Sequence, residues 1–201
     1  MTRLMNGRQR RALILAPLFA TLMAGCAGAP KNDTFDLSVS SAAVAQGPSL
    51  KSRQLLIADP TALKALDSEN IVVRLSGSEV QYLGNSQWSD RLPRMVQSKL
   101  VEAFEDTGKL GGVGRPGQGL AIDYQVVTDI RAFEIDTVKN IANIEMSVKL
   151  LNDRNGTVKA QDVFRASARV SGSGNANFVK ALDQAFAAAT RDIVAWTLKS
   201  L

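Results

Sequence analysis

An α+β domain, a mainly antiparallel sheet with two long amphipathic helices on one face, is the fold this sequence predicts, on three observations. Apolar residues alternate with period two through residues 122–135, 142–150 and 158–170, the spacing of strands with one buried side. Residues 92–104 and 178–196 instead carry apolar side chains at three- and four-residue intervals, the stripe of a helix lying on a core. Ser76-Gly77-Ser78 and Asn155-Gly156 each separate two β-rich runs and read as hairpin turns. Strands then a helix, followed by three strands and a second helix, are segregated rather than alternating elements, which is the α+β order.

Taken in order, Phe35, Leu37 and Val39 alternate with Asp36 and Ser38 and predict a half-buried strand. Residues 40–52 are small and polar with Gly47-Pro48 inside them, a turn or loop. Residues 54–58 form a second strand that Asp59-Pro60 ends, and 61–66 a short helical turn. Residues 71–75 and 79–83 make the first hairpin, and 84–87 lead into Trp88. The first helix is expected to be capped by Ser89 or Asp90, with Pro93 tolerated in its first turn. Leu92, Val96, Leu100, Ala103 and Phe104 form its buried face, and Gly108 stands where a left-handed terminal residue is wanted.

Residues 111–119 contain five glycines and one proline and predict a mobile loop. In the long strand after it, Ile122, Tyr124, Val126, Thr128, Ile130 and Ala132 share one parity, whereas Phe133 and Ile135 take the other. Such a switch predicts a bulge near Ala132. Ala142, Ile144, Met146, Val148 and Leu150 are the buried side of the next strand, and Val158, Ala160, Phe164, Ala166, Ala168 and Val170 that of the strand after it. Those alanines leave room for a close helix. That helix, capped by Asn175 or Asn177, buries Phe178, Leu182, Ala185, Phe186, Ala189, Ile193 and Trp196, and leaves Lys180, Asp183, Gln184, Arg191 and Asp192 largely outside the stripe. No internal repeat is apparent.

The first 26 residues say where the chain goes. Arg3, Arg8, Arg10 and Arg11 precede an uncharged run, 12–25, that ends in Met23-Ala24-Gly25-Cys26. A positive head, a short apolar core and small residues before the cut describe a secretory signal peptide. The core is interrupted by Pro17 and is too short for a bilayer, which needs ~20 apolar residues. The pair Ala24-Gly25 before Cys26 resembles a bacterial lipobox, with Met23 where that motif usually has Leu. The resemblance implies that the Cys26 thiol is lipidated and becomes the mature N-terminus, and Ala27 after it implies sorting to the outer membrane. The expected division is a cleaved signal, 1–25, a lipidated N-terminus and tether, 26–33, and one domain, 34–201. Residues 27–33 reach ~25 Å at full extension.

The formal net charge of +5 invites a nucleic-acid reading that this division removes. Without the four signal-segment arginines, the 24 basic residues fall to 20 against 19 acidic, so the remaining chain is near neutral and no nucleic-acid partner is expected. Histidine is absent and the only cysteine is Cys26. His-based triads, His or Cys metal sites, Cys nucleophiles and internal disulfides are excluded together. No cofactor, no metal and no enzymatic activity are expected; carboxylate-only hydrolysis is the one formal exception.

Leu66-Asp67-Ser68-Glu69-Asn70-Ile71-Val72-Val73-Arg74, then Val80-Gln81-Tyr82, then Trp88-Ser89-Asp90-Arg91-Leu92-Pro93 at a helix start resemble the ABC-type transport auxiliary lipoproteins. The likeness covers roughly residues 33–200, although the Gly-rich stretch 111–119 is longer than the family pattern. What the resemblance implies is an outer-membrane lipoprotein facing the periplasm, the partner of an MCE-domain (mammalian cell entry) protein in a transport system for phospholipids or sterol-like lipids. It further implies docking rather than catalysis; a homo-oligomeric ring of several copies is a separate guess that the resemblance does not supply. A second function class is a structural envelope lipoprotein that binds peptidoglycan or organises the outer membrane.

Local constellations are weighed against that reading. Residues 112–117 match G-x-G-x-x-G, but they follow a helix and open a strand, the reverse of a dinucleotide site. Ser171-Gly172-Ser173-Gly174-Asn175 has the order strand then helix, where amides can hold a phosphate, yet lacks a P-loop ending; a flexible turn is the simpler reading. Arg74, Tyr82 and Trp88 are candidates for a partner-facing patch, residue types favoured at interfaces, while Trp88 can equally pack the hairpin against the helix start. Asp123, Asp129, Glu134 and Asp136 lie along one strand, where solvated outer-face positions compete with a catalytic pair. The 178–196 stripe is core unless exposed, in which case it could line an acyl groove.

Overall fold

The computed structural model describes residues 32–38 and 49–201; Cys26, the signal segment, Val39 and most of the predicted 40–52 loop lie outside them. Eleven elements follow in order: β1 (Asp33–Phe35), β2 (Leu50–Ile57), β3 (Thr61–Ala62), β4 (Asn70–Arg74), β5 (Val80–Trp88), α1 (Leu92–Asp106), β6 (Leu110–Gly114), β7 (Tyr124–Asp136), β8 (Ile141–Asn152), β9 (Val158–Arg169) and α2 (Asn175–Ser200). They form one mixed, mostly antiparallel nine-stranded sheet and two helices, the α+β architecture expected.

The sheet is organised on β7. Along one side it pairs antiparallel with β8, which pairs antiparallel with β9. Along the other side three short strands follow one another, all parallel to it: β2 beside Tyr124 to Val126, β3 beside Asp129 and Ile130, β4 beside Glu134 to Asp136. The chain from 50 to 74 is thus one broken strand, interrupted at Asp59-Pro60 because proline has no N–H to give a ladder. The predicted helical turn at 61–66 is corrected accordingly. Thr61 and Ala62 are strand, with Thr61 Oγ1 donating to Asp129 Oδ1 at 3.1 Å, and the chain turns only where Leu66 and Asp67 N–H reach Leu63 O.

The β7–β8 register shifts between Ile130 and Ala132, which leaves Arg131 unopposed and exposed. This is the predicted bulge: Thr128 and Ile130 before it and Phe133 and Ile135 after it are all buried. β5 runs further than the hairpin predicted, through Gly84 to Trp88, with Asn85 at φ +56°, a left-handed conformation that Asn tolerates.

The predicted glycine loop is the larger correction. Residues 110–114 are a strand, β6, parallel to β2. A Cβ built on Gly111 would lie 2.2 Å from Lys51 O, so only glycine lets the two backbones approach this closely. Gly111→Ala is expected to destabilise the fold by about 1–3 kcal/mol through overpacking, read as a lower urea midpoint. An unchanged midpoint would mean that β6 contributes nothing to the sheet.

Both helix caps also differ from expectation. The first residue before α1 is Arg91, with no side-chain cap, and Asp90 Oδ1 accepts from Arg91 N instead. Leu92 N–H is taken by Ser68 O at 3.1 Å and Pro93 has none, so a distant segment and a proline replace the cap. α2 starts after Gly174 at φ +96°. Asn175 Nδ2 reaches outward to Gly84 O and Ser86 Oγ, which ties the helix start to β5, and Asn177 Nδ2 donates to Ser173 O. Gly108 does end α1 in the left-handed region, φ +59°.

The core lies between the sheet and the helices. Leu182, Ala185, Phe186, Ala189 and Ile193 of α2 are buried together with Ala142 to Leu150 of β8, and Phe164 of β9 meets Trp196 edge-on at 5.5 Å. The stripe of α2 is therefore core, not an exposed groove, while Val158, expected on the buried side, is 49% exposed. No helix among the described residues is long and apolar enough to cross a membrane.

Candidate functional site

Val72, Val73 and Arg74 of β4 stand between Tyr82, Gln81 and Val80 of β5 and Glu134, Ile135 and Asp136 of β7. Residues directly opposite in neighbouring strands share a face, so Arg74, Val80, Glu134, Asp136, Val72 and Tyr82 point to one side of the sheet. Phe133, on the other parity, points to the helices, where it meets Phe186 at 5.8 Å.

Arg74 grips Glu134 with two bonds, Nε to Oε1 at 2.5 Å and Nη2 to Oε2 at 2.9 Å, and gives Nη1 to Gly77 O at the hairpin turn. Glu134 is buried, and this bidentate geometry is the strong form of a carboxylate–guanidinium contact. Donation to the Glu134 carboxylate holds the Arg74 guanidinium above its ordinary pKa, against the opposing effect of burial. Arg74 O accepts from both N–H and Oγ1 of Thr137, so the turn after β7 is stitched to the end of β4. Around this fixed charge pair, Val80 is 42%, Tyr82 51% and Val138 75% exposed. Arg74 and Tyr82 are thus brought together on a partly apolar surface at one end of the sheet.

Trp88 is not part of it. It is 1% exposed, stands edge-on to Phe133 at 5.9 Å and donates its backbone N–H to Glu69 O. Its inclusion in a partner-facing patch is corrected by this burial. Residues 83–88 carry β5 past the hairpin and into the core, so Trp88 fixes the sheet on which Tyr82 stands. The surface residues that sequence reasoning missed are Val80 and Val138. Val80 reads from its sequence as ordinary strand, and Val138 sits in a turn that carries no periodic signal.

The four acids, Asp123 just before β7 and three within it, do not converge. Asp123 accepts from Gln54 N and Arg154, Asp129 from Thr61 and Arg131, Glu134 from Arg74, and Asp136 from Lys139. Among the described residues no group of three or more acids could hold a metal ion. The backbone N–H of Lys139 holds the Asp136 carboxyl below its ordinary 3.8, helped by the Lys139 side chain. A depressed folded pKa means stability that is present above the unfolded value and is lost as pH falls through the folded one. Asp136→Asn should therefore be less stable than the parent at pH 7, with the gap closing below about pH 4. A pH-independent gap in urea titrations would refute this linkage.

Residues 112–114 of the G-x-G-x-x-G match lie within β6 and the remainder follows it, so the match opens no helix. The 171–174 turn carries two left-handed glycines, Gly172 and Gly174.

Comparison with known proteins gives a consistent picture. A family model described as ABC-type transport auxiliary lipoprotein component matches residues 35–194. An uncharacterized protein of Bradyrhizobium diazoefficiens is 30% identical over 155 residues, 76% of this chain; the match spans only 42% of that longer relative. The crystal structure of protein XCC0632 from Xanthomonas campestris, of the family DUF330, superposes with a TM-score of 0.78 at 31% identity, over 84% of this chain and 95% of that one. A hypothetical protein from Chlamydia trachomatis shares the fold at a TM-score of 0.53 and 12% identity, over 74% and 96% of the two chains.

Proposed function

Since the chain belongs to the ABC-type transport auxiliary lipoprotein components, a family of transport partners rather than of enzymes, we propose that it is the outer-membrane-anchored docking partner of an MCE-type lipid transport system. In this reading residues 1–25 are removed, Cys26 carries the lipid, 26–33 form the tether, and the domain from 34 onward meets the periplasmic MCE protein. The family match over 35–194 carries the reading. The exposed end of the sheet supports it, because Tyr82, Val80 and Val138 surround the rigid Arg74–Glu134 pair, and aromatic and arginine side chains on a pre-ordered surface are favoured binding anchors.

The surface proposed to dock is Arg74 with Tyr82; Trp88 acts behind it. Tyr82→Ala should weaken a complex of the full chain with the MCE protein by roughly tenfold or more and leave the unfolding midpoint nearly unchanged, since the side chain is half exposed. Surface-immobilised MCE protein and the full chain in detergent allow this measurement. Absence of association at every salt concentration, together with retention on purified sacculi, would replace docking by the peptidoglycan-binding alternative.

A further inference from the structure

At the opposite end of β4 from Arg74, the start of α1 borders a cleft of about 580 Å³ lined by Arg91, Arg94, Gln97, Arg115 and Asp59. From its geometry we infer that this cleft binds a phosphate group, as a phosphodiester or as the free ion. The inference does not depend on the docking surface.

Three guanidinium groups line one cleft, and they differ in how far their charge is compensated. Arg91 is held by Asp67, whose hydrogen bond raises its pKa. Arg94 has only a loose, exposed contact with Asp90 at 3.6 Å. Arg115 has no carboxylate partner among the described residues. Its Nη2 donates to the neutral Ser98 Oγ at 3.0 Å, and its Nε is buried without a hydrogen-bond partner. Its guanidinium is thus left without a counter-charge among the described residues, an arrangement that calls for an explanation.

The helix start adds little of its own. Leu92 N–H is engaged by Ser68 O and Arg94 N–H by Arg91 O, and no acidic residue occupies the first turn. The ligand would be gripped by side chains. A carboxylate presents its two acceptor oxygens in one plane, whereas a phosphate group sets its free oxygens tetrahedrally, two in a diester and four in the free ion, so that guanidinium forks can reach them from different directions. Three arginines lining one cleft therefore fit phosphate better. Gln97 is buried, with its Nε2 fixed on Ile57 O at 3.0 Å, so the cleft floor is pre-ordered. Asp59 is the opposing feature: its exposed carboxylate lines the same cleft without an ion-pair partner among the described residues. It should repel an anion and keep binding weak.

The two signs of charge make the inference testable with opposite outcomes. Full-length protein in a non-ionic detergent is titrated calorimetrically with inorganic phosphate and with glycerophosphoglycerol, a soluble phosphodiester without acyl chains. Binding of at least one is expected, weakened about tenfold by Arg115→Gln and strengthened severalfold by Asp59→Asn, an exposed change that leaves the fold intact. Tighter binding of the phosphodiester assigns the site to a lipid headgroup, and tighter binding of inorganic phosphate assigns it to the free ion. No heat with either probe, or equal affinity in all three proteins, overturns the inference. Tyr82→Ala should leave phosphate binding unchanged, so failure here and failure of docking are read separately.

Discussion

Trp88→Ala is expected to destabilise the domain by about 3–5 kcal/mol, the cost of emptying a fully buried indole site. Trp88 is among the largest fully buried side chains, and its neighbour Phe133 in turn contacts Phe186 of α2. The three rings link β5, β7 and α2, so the cavity would open where sheet and helix meet and the surroundings could close only partly. Trp196 remains as the only other tryptophan and can report urea unfolding in the variant. Trp88→Phe should cost clearly less because a ring is kept. Partner binding by folded Trp88→Phe should match the parent, whereas Tyr82→Ala should not. A midpoint for Trp88→Ala within error of the parent would mean that this ring cluster does not hold the sheet to the helix.

The behaviour of Trp88 illustrates what the sequence could and could not reveal. Both helices, the second hairpin and the β7 bulge follow from local periodicity, and Leu92 to Phe104 and Leu182 to Ile193 are buried as their spacing required. β3 and β6 escaped for a different reason. Two residues carry no period, and Leu110 to Gly114 contains three glycines and lacks strand propensity; its conformation is imposed by the edge of β2. The caps differ because Ser68 O takes the Leu92 N–H from far away in sequence, and because Gly84 O and Ser86 Oγ engage the Asn175 side chain away from its own helix. Distance in sequence also hid the arginine cleft. Asp59, Arg91 and Arg115 meet only because β2, α1 and β6 pack side by side. At the Arg74 end of the sheet, residue type singled out Arg74 and Tyr82, which share one face of the strands, but type alone could not tell a surface indole from a buried one.

Arg74→Met is expected to cost about 3 kcal/mol, because it orphans a carboxylate that is only 5% exposed. The figure is at the low end for a buried pair since the Arg74 side chain itself is 32% exposed and solvent screens part of the interaction. Glu134→Gln should cost less, about 1–2 kcal/mol, as the amide oxygen can still accept one bond. The raised pKa of Arg74 adds stability that is present below its ordinary value and lost only above it. Its contribution is therefore constant across working pH, and the Arg74→Met penalty should be the same at pH 6 and pH 9. The double variant Arg74→Met/Glu134→Met removes both charges and should recover to within about 1 kcal/mol of the parent. That recovery separates two roles. If Arg74 only braces the sheet, the double variant regains partner binding along with stability. If the guanidinium also contacts the partner, binding stays weak in a protein whose fold is restored. The docking reading requires the second result, and a double variant that binds as well as the parent would leave Tyr82, without Arg74, as the contact on this face.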